Sequence, residues 1–259
     1  MFVALPNFQS VHPTYEQAYH QLEEQHWWFV ARREAVFALI QQLSLPLDAR
    51  ILEIGCSGGP LLLALQAAGY TDLSGIDVSE TGIQVARSRG LTNVAVMDGA
   101  QLTFKDASFD LIIASDVLEH IEHEHQALNE WKRVLRPQGQ LMVFVPAFNA
   151  LWSSHDDVNY HFRRYSVPQL SQVVRQAGLQ VTRTSYWNST LFLPAAVVRV
   201  CKRALLGNSQ PAQAGADLEM LPNFLNSTLL TLLRVENLIF RRFRLPVGIS
   251  AFLLATKTP

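Results

Sequence analysis

Ile51-Leu52-Glu53-Ile54-Gly55-Cys56-Ser57-Gly58-Gly59-Pro60 decides the fold. A short apolar run, with Glu53 inside it, enters a turn of small residues. The chain then continues as PLLLALQAAGY, a helical pattern. Such a turn lets the backbone approach a nucleotide-like ligand closely, with the N–H groups of the following helix pointing at it. Outward from this unit the texture alternates. Strand-like runs are RILEIG, LSGID, NVAVMD, FDLIIAS and QLMVFVP; between the later ones lie the helical stretches SETGIQVARSRG and HEHQALNEWKRVL. Strands that are apolar throughout, alternating with helices, predict a parallel sheet covered on both faces. SVPQLSQVVRQAG then predicts a helix: Ser166 is placed to cap it with Gln169 three residues on, Pro168 falls in the first turn, and Gly178 stops it. LQVTRTSYW and VGISAFLLAT read as two further strands.

The 259 residues allow one large domain or two small ones. Apolar residues make up 49% and charged residues 17%, which supports a buried core and excludes a disordered chain. The net charge is −1, so binding of nucleic acid through phosphate neutralisation is not expected. Two cysteines, Cys56 and Cys201, make no disulfide framework and fit a reducing compartment. MFVALPNFQS lacks the basic and apolar regions of a signal peptide, and the longest apolar runs are shorter than a membrane span. A cytoplasmic protein is therefore expected. The charge is uneven: residues 1–194 carry 13 basic and 19 acidic side chains, and residues 195–259 carry 8 and 3. Helix formers run from Pro13 to Pro46, and NSQPAQAGAD (208–217) reads as a flexible loop. The boundaries drawn are a helical piece over 1–49, a ligand-binding core over 50–187, a helical insertion over 188–246, and a last core strand over 247–259.

Acids recur at strand ends: Asp77 lies 22 residues after Gly55, Asp98 closes the third strand, and Asp116 follows the fourth. In an open α/β sheet these converge with the turn on one crevice. A dinucleotide fold wants G-x-G-x-x-G, whereas this chain reads Gly55-x-Ser57-x-x-Pro60. Glu53 would repel a pyrophosphate and attract a cation, and a ribose diol suits one carboxylate accepting two hydroxyls.

These residues resemble the class I S-adenosylmethionine-dependent methyltransferases. The family's acid-x-G-x-G-x-G looks like Glu53-x-Gly55-x-Ser57-x-Gly59, with Ser57 replacing the middle glycine. SFDLIIASDVLEHI and VLRPQGQLMVFVP resemble its fourth- and fifth-strand motifs. The resemblance implies an α/β, Rossmann-like fold: a seven-stranded, mainly parallel sheet with one antiparallel strand, an N-terminal helical lid and a C-terminal helical insertion. It implies S-adenosylmethionine as cofactor, S-adenosylhomocysteine as product, and a cofactor site of Glu53, Gly55, Ser57, Gly59, Asp77, Val78, Asp98, Gly99, Ala100 and Ser115. In it Asp77 binds the ribose hydroxyls and Asp98 the adenine amino group. Rival readings are a nucleotide-dependent oxidoreductase and a non-catalytic binding module.

Methyl transfer to a hydroxyl calls for alignment and a base, for which His is suited. Candidates are Asp116, His155 and His161. The segment Leu151–Tyr165, with a HWWF-x-x-RR-like stretch at His26–Arg33, resembles a methyltransferase subgroup associated with polysaccharide or lipid-linked glycan synthesis. Arg163, Arg164 and Tyr165 then bind acceptor, or else His161 and Arg163 tie the loop to acids beneath it while Tyr165 is core. Asp116-x-x-Glu119-His120 is similar to the metal-binding segment of ubiquinone-pathway O-methyltransferases. The reading adopted is no metal, since hard cations need more oxygen ligands; Glu119 and His120 then make helix-start hydrogen bonds. Trp27-Trp28-Phe29 either roofs the site or docks the N-terminal helix. LFLPAAVVRVCKRALL and FLNSTLLTLLRVENLIFRRFRLP combine apolar faces with Arg199, Lys202, Arg203, Arg234, Arg241, Arg242 and Arg244. They predict contact with an anionic membrane face, a dimer seam or a pocket cap. The expected partner is a small-molecule or lipid-linked acceptor.

Overall fold

In the computed structural model, which describes residues 22–198 and 220–258 and only the backbone of Ser154 and His155, the apolar run is β1 (Arg50–Ile54). Beside it lie β2 (Asp72–Asp77), β3 (Val94–Val96), β4 (Phe109–Ser115), β5 (Leu135–Pro146), β6 (Gln180–Trp187) and β7 (Ser250–Thr256). Their order in the sheet is β3-β2-β1-β4-β5-β7-β6. The first five pair in parallel, and β7 runs antiparallel to both β5 and β6. The expected seven-stranded sheet with one reversed strand is present. The chain steps outward from β1 to β3 and then returns to β4 on the other side of β1. That reversal opens a crevice at the carboxyl ends of β1 and β4, the place where such sheets bind ligands.

Both faces are covered, which explains why the strands are apolar on both sides. On one face Leu52, Ile54, Ile112, Ala114, Leu141 and Val143 meet α4 (Glu124–Val134) and α6 (Val167–Gln176) through Leu128, Trp131, Leu170 and Val174. On the other, Ile51, Leu111, Ile113, Met142, Phe144 and Phe252 meet α1 (Trp27–Gln42), α2 (Pro60–Ala67) and α7 (Asn223–Phe240). Further helices are α3 (Glu80–Ser88) and the short α5 (Ser154–Val158). Local chemistry sets the ends. Ser79 caps α3 by accepting from the Gly82 N–H, and Ser166 with Gln169 forms the expected capping box on α6.

The helical run expected from Pro13 is interrupted. His26 takes an extended backbone, its ring accepts from the Trp28 N–H, and α1 starts after it. α1 buries Ala31, Ala35, Val36, Leu39 and Ile40, one helical stripe, against α7 and the sheet. Asn237 of α7 locks the layer: its Oδ1 accepts from Trp187 Nε1 at 2.8 Å and its Nδ2 donates to the Ala31 carbonyl at 2.9 Å. Glu236, buried beside it, accepts from the backbone of Ser189 and Thr190. The described α1 and α7, from the stretches 1–49 and 188–246, thus contribute to one layer on the sheet. The 208–217 loop, Arg199, Cys201, Lys202 and Arg203 lie outside the described residues.

Candidate functional site

The turn after β1 is built from positive-φ residues: Gly55 at +74°, Ser57 at +45° and Gly59 at +76°. Gly55 is required, because a Cβ there would lie 2.4 Å from Val117 Cγ2. Asp77, at the end of β2, holds the turn in place. Its Oδ2 accepts from the Ser57 N–H and its Oδ1 from the Ser79 N–H, each at 2.8 Å. Burial raises the Asp77 carboxyl above its ordinary value despite those bonds. Glu53 is buried, and its Oε2 has no hydrogen-bond partner among the described residues. Burial, with Glu23 and Asp77 adding repulsion, pushes its carboxyl far above the usual range. An orphaned acceptor beside a second carboxylate, under backbone that excludes a side chain, fits a cationic ligand with a diol.

The other expected cofactor residues border the same edge. Asp98 Oδ1 accepts from the Ala100 N–H at 2.8 Å, and the Gly99 carbonyl accepts from Trp131 Nε1 at 2.8 Å, so α4 fixes this loop from beneath. Val78, just past the end of β2, is exposed. Ser115 ends β4 and donates to Asp116 Oδ2 at 3.2 Å.

Asp116 turns the chain at φ +57°, its N–H donating to the Phe144 carbonyl. Its Oδ2 lies 3.0 Å from Arg32 Nη1. Arg32 is buried among the rings of Trp28, Phe144 and Trp187, 4.3–4.9 Å from their centroids, and its Nη2 reaches Ser250 Oγ at 2.5 Å. Trp28 therefore docks α1, its ring over Arg32 and 6.1 Å from that of Trp187. Arg32 is a residue that the sequence reading missed as a site group. The available signal was its place on the buried stripe of α1, one residue from Ala31 and three from Ala35.

Of the two histidine candidates, His161 is the one whose side chain is described, and it packs against Asp156. Its Nδ1 is 2.9 Å from Asp156 Oδ1. Burial pushes Asp156 upward, but hydrogen bonds from His161 and Arg164 outweigh it and hold the carboxyl well below the ordinary range. An ionised carboxylate only accepts, so Nδ1 is the donor in this contact. Ligand atoms of Glu119, His120 and His161 lie within 4.8 Å of one another. Both Glu119 oxygens are buried and without a hydrogen-bond partner among the described residues, which corrects the expected helix-start bond. Burial, then Asp116, pushes that carboxyl far upward. The side chain of His155 lies outside the described residues.

The roof residues take the anchoring alternative. Arg164 is buried with Nε 2.6 Å and Nη2 2.9 Å from the two Asp156 oxygens, and Nη1 reaches the Ala147 carbonyl. Tyr165 is buried with its hydroxyl on Glu124, and burial with that bond raises it beyond ordinary titration. Arg163 pairs with Glu124 at 3.1 Å and donates to the Glu122 carbonyl. The expectation that Arg164 and Tyr165 bind acceptor is corrected: both are sealed inside the roof. Glu23 is the second missed residue. Its Oε2 accepts from Ser57 Oγ at 2.9 Å, 34 positions away, a contact that no local pattern announces.

Residues 52–143 match the family described as "Methyltransferase domain". A protein of Mycolicibacterium smegmatis named "Probable S-adenosylmethionine-dependent methyltransferase" is 30% identical over 175 residues, 66% of each chain. A "Ubiquinone biosynthesis O-methyltransferase" of Bartonella tribocorum is 31% identical over 116 residues, 42% of this chain and 46% of that one. The chain thus spans about half to two thirds of the length of these curated relatives. Among solved structures, one of Haloferax volcanii, titled as a Trm112 methyltransferase activator in complex with a methyltransferase, aligns over 95% of both chains. Its TM-score is 0.61 at 19% identity, a likeness of fold.

Proposed function

We propose, from the premise that this chain carries a methyltransferase domain of the class I S-adenosylmethionine-dependent kind, that it transfers a methyl group from S-adenosylmethionine to a hydroxyl oxygen of a small or lipid-linked acceptor. The Asp156–His161 pair carries this reading. It sets the His161 ring beside the loop that follows β4, and Nε2 is the nitrogen that would take the hydroxyl proton as the oxygen attacks. When bound, the cofactor supplies an electrophilic methyl group on a cationic sulfur. The protein's part is to hold and align: Glu53 faces the cation, Asp77 the diol, and Asp98 with Gly99 and Ala100 the adenine. Screening hydroxylated acceptors for S-adenosylhomocysteine release tests the reading; release with amine or thiol acceptors alone would overturn the oxygen assignment.

Asp77→Ala removes the acceptor of both diol hydroxyls and frees the Ser57 turn. S-adenosylhomocysteine binding should weaken by about 1.5–3 kcal/mol, the range for a hydrogen bond to a charged group. Titration calorimetry measures it, and unchanged affinity would contradict the role.

The lipid-linked form of the acceptor is supported by the outer side of α7. Phe224, Leu225, Leu232, Val235, Leu238 and Ile239 are exposed there, and Phe243, Arg242 and Arg244 continue the patch. The contact proposed is peripheral, at the cytoplasmic face; among the described residues no helix is long and apolar enough to cross a membrane. Anionic vesicles should co-sediment the protein better than neutral ones, and Arg241, Arg242 and Arg244 changed to Gln should lose up to about 3 kcal/mol of that binding. The preference should fade as salt rises. Equal, weak partitioning would favour a soluble acceptor.

A further inference from the structure

The cofactor crevice holds a carboxylate that the strand-end motifs do not supply. Glu23 lies in a helical stretch, residues 22–25, ahead of α1, and it is buried against the turn. Three contacts hold the stretch there: Glu23 Oε2 accepts from Ser57 Oγ, Arg33 Nη1 donates to the Glu23 carbonyl at 3.1 Å, and Glu24 pairs with Arg89. Arg89 is in turn tied to the Gly58 carbonyl at 3.0 Å, so the stretch is fastened to both sides of the turn. Its consequence is electrostatic. Glu23 acts as a like charge on both Glu53 and Asp77, and Arg33 offsets only part of that field. Meanwhile Glu53 Oε2 is buried with no hydrogen-bond partner among the described residues. Acids crowded around an orphaned acceptor are what a bound cation relieves.

We propose that Glu23 is a cofactor-facing residue, completing with Glu53 and Asp77 a three-carboxylate cage that binds cationic S-adenosylmethionine in preference to neutral S-adenosylhomocysteine. The inference rests on the methyltransferase reading above. The methyl donor carries a sulfonium and an ammonium against one carboxylate and is a net cation. The product has lost the sulfonium charge. A third carboxylate in a desolvated site therefore separates the two ligands by charge alone, with little difference of shape. After transfer the cage holds its product less tightly than its substrate, which favours exchange. The latch contacts of Glu24 and Arg89 position the carboxylate without contributing to the preference.

Calorimetry on the full chain with each ligand tests this. Glu23→Gln keeps an acceptor for Ser57 and removes the charge. It should weaken S-adenosylmethionine binding about tenfold while S-adenosylhomocysteine changes less than about threefold. Glu24→Gln loosens the latch but leaves the Glu23 charge, so both affinities should fall together with their ratio held. An unchanged ratio in Glu23→Gln, whether both affinities persist or drop in parallel, would overturn the cage. So would an equal shift of ratio in Glu24→Gln. A wild-type chain that binds neither ligand would instead overturn the methyltransferase reading itself, a failure visible before any variant is compared.

Discussion

Asp156→Ala should lower the stability to urea unfolding by about 3–5 kcal/mol, the cost of removing one partner of a buried ion pair. Asp156 is buried and accepts from Arg164 Nε and Nη2, from the Ser153 N–H at 2.8 Å and from His161 Nδ1. Without it the Arg164 guanidinium keeps, among the described residues, only the Ala147 carbonyl as a hydrogen-bond partner, which cannot balance its charge. The deficit should depend on pH in a definite sense. The folded-state carboxyl is depressed, so its contribution is fully present above the unfolded value of about 3.9 and is lost as pH falls below it. The gap between Asp156→Ala and wild type should therefore be widest near neutrality and narrow below about pH 4. Urea midpoints measured across that range check both size and sign; a constant gap would mean that the carboxylate charge is not what holds the roof.

His161→Ala should lower turnover by about 10²–10⁴-fold with cofactor affinity unchanged, the range for a lost general base. Steady-state rates with whichever acceptor the release screen identifies, set beside calorimetry with S-adenosylhomocysteine, give the two quantities. Chelation separates base from ligand. His161 lies with Glu119 and His120 in a cluster tight enough to hold an ion, and its bond to Asp156 would orient a metal-binding histidine equally well. Activity indifferent to chelator, with the His161→Ala loss intact, supports proton transfer by Nε2. Activity abolished by chelator and restored by a divalent cation would reassign all three residues as ligands.

The parts of this molecule that were legible in the sequence are those whose signal is local. Each central strand is a short apolar run, and its successor helix announces itself by period and cap, as at Ser166 and Gln169. The places of Asp77 at the end of β2 and Asp98 just past β3 could be read because position along a strand is itself a local property. The roof was ambiguous for a physical reason. Arg163, Arg164 and Tyr165 are the residue types of both an anion site and a buried anchor, and what decides between them is whether Asp156 and Glu124 lie within reach. Glu23 on Ser57 and Arg32 on Asp116 are contacts across 34 and 84 positions that only the packed helical layer creates.

The reversed strand has a consequence in time. β7 lies between β5 and β6, pairing with β5 from Gln140 to Pro146 and with β6 from Gln180 to Trp187. Until residues 250–256 have left the ribosome, β5 presents one bare hydrogen-bonding edge and β6 has no strand to pair with. The nascent chain must carry both edges through more than sixty further residues of synthesis, and such edges recruit other chains. Completion of the sheet is therefore delayed until β7 has emerged and can insert, and a ribosome stalled between β6 and β7 would expose an aggregation-prone half sheet.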